Sequence, residues 1–422
     1  MNPLSSFLVL ACVCLNSSFA GNWPEWRGPS GDGVCTETDL PMKWSATENV
    51  LWKTPLPGPG NSTPVVWGDR VFLTQSVESS NERLLMCFSR TNGELLWQRG
   101  VEHAQSEVTH KTNPKSASSP VTDGERVIVS FSSAGVHCYD MDGEKLWSRD
   151  LGEQAHIWGY GASPTIRGDL VYLNFGPGER SFLIAMDKRS GKTVWKNDEP
   201  GGGFGKKQAG QSGRTVWVGS WSTPIFRKVK GRDEMIMTWP NRVVGMDPLS
   251  GREYWECKGL NSLIYASPIY ADGIVLALGG YSGSALAVHA GGRGDVTASH
   301  RLWLHPKTKQ RIGSAVIHQG YYYILNDPGV AECFDLETGQ RMWEERLRGP
   351  GASSRNWASM ILSDGKLYVN NWSGDTFILK ASPKFEVLEV NSIQEKTIGS
   401  MAVSNGEIFL RGYENLWCIS EK

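Results

Sequence analysis

The sequence predicts an all-β fold, an eight-bladed β-propeller of four-stranded blades, and three observations carry that expectation. The first is the stretch Asp335-Leu336-Glu337-Thr338-Gly339-Gln340-Arg341-Met342-Trp343, a strand end, a Thr-Gly turn and a new strand closing on a tryptophan. Versions recur at 90–97, 140–147, 187–195 and 247–255. The second is the period. Bodies that open on a small residue and a β-branched pair begin near 62, 119, 163, 223, 267, 314, 359 and 400, the spacing of propeller blades. The third is a missing strand. The body from Gly399 to Lys422 has only three strands, whereas 49–56 is a strand ending like a repeat at Trp52 with no body before it. Pairing that N-terminal strand with the last blade closes the ring and removes its exposed edges.

Each body reads as four strands. The innermost opens as Ser62-Thr63-Pro64, Ser119-Pro120, Ser163-Pro164, Thr223-Pro224 or Ser267-Pro268, and later as Ser314-Ala315, Ser359-Met360 and Ser400-Met401. A strongly apolar second strand follows, with Asp-Gly hairpin signals at 123–124, 272–273 and 364–365. The third strand ends in a Cys/Ala-x-Asp pattern and the fourth carries the tryptophan. Two bodies depart from the pattern: the seventh has no tryptophan in Phe385-Glu386-Val387-Leu388, and the fifth replaces its Gly turn by an excursion from Gly291 to His300.

Composition agrees. The chain of 422 residues holds 48 glycines and 18 tryptophans, which favours one large repeat domain over several ordinary ones. Trp52, Trp97, Trp147, Trp195, Trp255, Trp303 and Trp343 are expected to be structural, each ring slotting between blades over the adjacent turn. Cys87, Cys138, Cys333 and Cys418 share one register, so they are read as packing residues. Only Cys35 and Cys257 fall outside the register and the N-terminal leader, and a bridge between them stays open in an oxidising compartment. No Cys-x-x-Cys spacing suggests zinc, and no metal is assigned.

Residues 1–20 read as an export signal, with an apolar run from Phe7 to Leu15 and Ser18-Phe19-Ala20 before a mature start at Gly21. Lipidation at Cys12, after Val9-Leu10-Ala11, is the alternative. Residues 21–42 read as an ordered extended segment lying against the body, and 43–422 as the propeller. The expected location is the periplasm or the cell exterior. No later run reaches the length of a membrane-spanning helix. The 43 basic and 44 acidic residues balance, so neither nucleic acid nor anionic lipid is an expected partner. A monomer is expected. Gly201-Gly202-Gly203-Phe204-Gly205-Lys206-Lys207 lacks phosphate-loop spacing and reads as an insertion between blades three and four.

The loops leading into the innermost strands converge on one end of the channel. They supply the candidate funnel residues Lys111, Asn113, His156, Trp158, Tyr160, Trp221, Arg355, Asn356 and Trp357. Basic residues outnumber acidic ones there and aromatic groups recur, which suits an anionic or planar ligand, or a protein partner. No catalytic residue is assigned.

The Asp-x-x-Thr-Gly-x-x-x-Trp unit with its Ser-Pro opening resembles the pyrroloquinoline-quinone (PQQ) propeller repeat, over about Trp44 to Ile419. Trp23-Pro24-Glu25-Trp26-Arg27-Gly28-Pro29 together with Leu56-Pro57-Gly58-Pro59-Gly60 resembles the secreted PQQ-like propeller proteins of planctomycete-type bacteria. The family includes quinoprotein alcohol dehydrogenases and the lipoprotein propeller of outer-membrane-protein assembly. The resemblance implies the fold and raises PQQ with calcium as a cofactor pair. Those dehydrogenases use a vicinal Cys-Cys ring, a Ca²⁺ held by carboxylate and amide oxygens, and an Asp base. This chain has no adjacent cysteines, almost no carboxylates in the funnel loops, and no Cys-x-x-Cys-His haem site. Three functions stay open: a non-catalytic binding scaffold, a PQQ-dependent dehydrogenase, and a glycan-binding propeller in which Trp158, Tyr160 and Trp357 stack on sugar rings.

Overall fold

The computed structural model describes residues 21–178, 180–199, 218–281, 283–309 and 312–421. Residues 1–20, read above as an export signal, the Gly201–Lys207 stretch, and Gln310 and Arg311 of one funnel loop lie outside the described residues. Eight four-stranded antiparallel sheets form an eight-bladed β-propeller. Blade 1 is representative, with strands Val65–Trp67, Arg70–Val77, Glu82–Ser89 and Leu95–Glu102 in spatial order from the channel outwards. The ring closes as the sequence predicts. Val50–Pro55 supplies the outer strand of blade 8, beside Asn415–Ile419, with Trp52 opposite Cys418.

The recurring turn has a local cause. Asp335 accepts backbone N–H bonds from Glu337 and Thr338 and the Thr338 hydroxyl, and Asp187 does the same for the N–H and hydroxyl of Ser190. These donors hold the Asp187 carboxyl below its ordinary pKa. The glycine that follows needs a positive φ, +68° at Gly191. A second constraint acts there. A Cβ on Gly191 would lie 2.7 Å from the Trp147 ring of the preceding blade.

That contact is the clasp between blades. The Trp147 indole N–H donates to the Lys188 carbonyl at 2.9 Å, and Trp52, Trp97, Trp195, Trp303 and Trp343 donate in the same way to Arg90, Met141, Pro248, Leu336 and Ser382. The shared cysteine register follows from the same geometry. Across the strand pair, Trp97, Trp147, Trp343 and Trp52 face Cys87, Cys138, Cys333 and Cys418, and Trp195 and Trp303 face Ala185 and Ala287. A small residue leaves room for the indole. In blade 7, whose outer strand carries no tryptophan, bulky Ile378 faces Glu389.

Trp255 is structural but does not clasp the next blade as expected. It faces Gly245, where a Cβ would sit 2.2 Å from its Nε1, and it donates at 2.7 Å to the buried carboxylate of Glu234 in its own blade. The next blade has no Gly turn for it to cover. Instead Gly294–Asp295, from the blade 5 excursion, pairs with Trp255–Glu256 as an added parallel strand. Cys35 and Cys257 do not pair. All six described cysteines are free and buried, and burial pushes the thiols of Cys87, Cys138 and Cys333 up to about 12.

The small opening residue of each body also has a role. Around the channel, the N–H of each opening residue donates to the hydroxyl of the next blade's opening residue: Thr63 to Ser119, Ser119 to Ser163, Ser163 to Thr223, Thr223 to Ser267, Ser267 to Ser314, Ser314 to Ser359 and Ser359 to Ser400, at 2.8–3.1 Å. The girdle opens only between blades 8 and 1. There the fully buried Arg411 of blade 8 reaches across to the Ser62 hydroxyl at 2.8 Å and the Thr74 carbonyl at 2.6 Å.

Residues 21–37 lie against the body and cross one end of the channel. Trp23 bridges to Val66 of blade 1, the Pro24 carbonyl accepts from Thr122 of blade 2, and Glu25 pairs with Arg167 of blade 3 at 2.6 Å. Asp32 pairs with Arg227 of blade 4 at 2.7 Å, the buried Arg27 donates to the Ala315 carbonyl of blade 6, and Val34–Cys35 pairs in parallel with Leu362–Ser363 of blade 7. Apart from Arg27, whose carbonyl partner lies just before the blade 6 strand, these contacts are to an innermost strand or the turn that ends it. The segment therefore stoppers the channel at the end opposite the loops that enter those strands.

Candidate functional site

The funnel loops surround a cavity of about 340 Å³. Trp158, Tyr160, Trp221, Tyr265 and Trp357 form its walls, and the girdle residues Ser359 and Ser400 lie deeper. Trp26 of the stopper segment also lines it, as a floor. The cavity is thus a blind funnel. Its rings are braced by one another: His110 against Trp158 with centroids 5.1 Å apart, Trp221 against Tyr265 at 4.9 Å, and Trp357 edge-on to Trp372 at 5.0 Å.

The nine sequence candidates divide into two groups. Asn113, Trp158, Tyr160, Trp221, Arg355 and Trp357 line the cavity. Lys111, His156 and Asn356 do not: Lys111 is exposed on its loop, while His156 and Asn356 are buried behind the wall. Even among the lining residues several are already committed to architecture. The Asn113 amide donates to the carbonyls of Trp158 and Tyr160 at 2.7 and 2.8 Å, latching the blade 2 loop to the blade 3 loop. The Tyr160 hydroxyl donates to the Lys115 carbonyl, and the Trp221 indole to Gly159. His156 stands edge-on to Trp221, and burial lowers its ring to about 4, so it is neutral at physiological pH. Asn356 takes its N–H to Asp327 and its amide to the Asn370 carbonyl.

The basic character expected from the loops is concentrated at one place. Lys115 pairs with Glu78, and Lys309 pairs with Glu332 and Glu344. Arg355 is the one Lys or Arg among the described lining residues. It pairs with the buried Asp327 at 3.2 Å and lies over the Trp372 ring at 4.3 Å.

Sequence reasoning missed Trp26, Tyr281, Asp327 and Trp372. Tyr281, Asp327 and Trp372 lie in turns between second and third strands, which reach the same face as the loops that were read. Trp26 arrives from the other end of the channel. The periodic spacing of those second turns was the available signal for the first three; nothing in the sequence ties Trp26 to the funnel.

The described lining residues do not fit a quinone–calcium pair. They contribute no Asp or Glu, the nearby Asp327 is occupied by Arg355 and the Asn356 N–H, and the described cysteines are buried in the blades. Among the described residues no group of three or more His, Cys, Asp or Glu could hold a metal ion. Among them, too, no helix is long and apolar enough to cross a membrane.

Residues 34–110 and 81–345 match the family described as outer membrane protein assembly factor BamB. No protein of curated function matches the chain by sequence. Among solved structures, BamB from Moraxella catarrhalis is similar at 14% identity and a TM-score of 0.59, over 88% of this chain and 98% of that one. A europium-containing methanol dehydrogenase is similar at 11% identity and a TM-score of 0.66, over 94% and 90%. The quinohemoprotein alcohol dehydrogenase from Comamonas testosteroni is similar at 10% identity and a TM-score of 0.55, over 96% and 81%. At these identities the structural likeness is one of fold. The repeat, the ring it closes and a sequence match across most of the chain together show that this protein belongs to the PQQ-like, BamB-type β-propeller family.

Proposed function

We propose that this chain is an exported binding propeller with no catalytic step at its funnel, which receives a planar or ring-bearing group, free or carried by a partner protein. The observation that carries the reading is the blind aromatic funnel with one cation at its rim and no carboxylate among its described lining residues. Flat faces set around a cavity of this size suit ring stacking, and Arg355 offers a contact for negative charge. The assembly-factor description of the matching family supports a scaffold role. The leader-like residues 1–20 support export.

The test is a fluorescence titration of the protein with planar and ring-bearing probes, among them PQQ with Ca²⁺ and short oligosaccharides. Saturable quenching by at least one probe, lost in Trp158→Ala, is the expected result. PQQ retained at one per chain after desalting, with alcohol oxidation by an added electron acceptor, would replace this reading with the dehydrogenase one. Quenching that Trp158→Ala leaves intact would move the site out of the funnel.

A further inference from the structure

A second cavity adjoins the funnel at blade 7, a groove of about 580 Å³ lined by Gly351, Ala352, Ser353, Ser392 and Gln394 around the indole of Trp372. Trp372 lines the groove and packs edge-on at 5.0 Å against Trp357, which lines the funnel. Arg355 lies over the Trp372 ring at 4.3 Å, and Lys396 lies 5.2 Å from the same ring and 4.3 Å from that of Tyr413. Both cations are exposed. Among the described residues only one carboxylate, that of Asp327, answers them, and it pairs with Arg355. The neighbouring Glu395 carboxylate is turned away, accepting from the N–H groups of Glu414 and Asn415 and from the Asn415 amide and Trp417 indole. Lys396 has no carboxylate partner among the described residues. Burial, and then the Arg355 charge, lower its pKa. Two cations held on one indole with one counter-charge leave a site that an anion stabilises.

We propose that the ligand of this protein is an acidic glycan chain: one sugar enters the funnel, and the next crosses the rim on Trp372 with its anionic group between Arg355 and Lys396. The inference rests on the funnel being a binding site and names the class of ligand. Three features favour a glycan over an acidic peptide. The funnel and groove lie side by side across the Trp357–Trp372 ring pair, which suits a chain of rings. Trp372 lines the groove, and an indole suits the C–H face of a pyranose. Apart from Trp372, Lys396 and Pro350, the groove wall is made of small and neutral polar residues, the exposed Gln394 among them. The anionic group is a carboxylate or a sulfate, which present the same charge to the two cations.

The experiment titrates the full chain, by calorimetry, with a galacturonic acid hexamer, a size-matched dextran sulfate fragment, neutral maltohexaose and hexaglutamate. Saturable binding of at least one acidic glycan, weakened by salt and reduced at least about tenfold by Lys396→Gln, is expected from the loss of a charge-assisted contact. Lys396→Arg should restore it. The uronate and sulfate arms identify the anion. Equal binding of hexaglutamate assigns the rim to an acidic peptide and overturns the proposal, as does maltohexaose binding as well as the acidic chains, or no binding of either acidic glycan. Trp158→Ala separates this inference from the function on which it rests. Binding lost in Trp158→Ala but intact in Lys396→Gln keeps the funnel and removes the rim subsite. The opposite pattern keeps the rim and removes the funnel.

Discussion

The outer seams and the funnel wall of this propeller are built on opposite principles. At six of the seams one device repeats: an indole N–H reaches the neighbouring turn carbonyl, and a small residue stands opposite the ring. Around the funnel the described loops each use a different device. Asn113 latches one pair of loops, His156 backs one tryptophan, and Arg355 and Asp327 meet at a single place on the rim. Repetition closes the ring because each seam must solve the same packing problem. Binding needs the reverse, since a ligand without eightfold symmetry is recognised by groups that differ. The blade 4 seam shows how the two are separated: Gly245 draws Trp255 into its own blade, and a borrowed strand fills in outside, far from the cavity.

The contrast predicts how the two regions respond to change. Trp147→Ala should cost about 3–5 kcal/mol in urea unfolding, the usual loss for truncating a buried tryptophan. A cost near zero would mean the clasp does not hold the seam. Next in size is a pH effect behind the funnel wall. The folded His156 ring titrates near 4 and the unfolded one near 6.5. Its contribution is therefore full above 6.5 and lost as pH falls towards 4, by about 3 kcal/mol. His156→Gln should flatten the stability profile over that window, and parallel profiles for variant and parent would rule this out. Ser267→Ala removes one girdle acceptor and leaves the Thr223 N–H unpaired, at about 1–2 kcal/mol. The smallest stability change is expected at the funnel itself. Trp158→Ala, at a half-exposed position, should shift the unfolding midpoint least of these variants while removing ligand quenching. A loss comparable to that of Trp147→Ala would make Trp158 an architectural residue.

Much of the fold was legible because it is periodic. The Asp, Gly and Trp of each turn, the cysteine register and the strand at Trp52 recur with the ring and are read by aligning the chain with itself. Trp255 escaped that reading because its departure depends on the residue across the strand pair, Gly245, and on an excursion some forty residues later. Six of nine funnel candidates line the cavity because the entering loops converge there. Lys111, His156 and Asn356 do not, because loop membership says nothing about which way a side chain turns.

The sequence by itself determined the eight blades, the closing strand, and the structural standing of its repeat tryptophans and cysteines, since a fixed period leaves few other ways to bury those faces. Only the tertiary structure decided that the channel is blind, that Trp26 is its floor, and that Arg355 and Lys396 share Trp372. Those contacts join residues hundreds of positions apart or on loops without a repeat, and they exist only once the ring has closed.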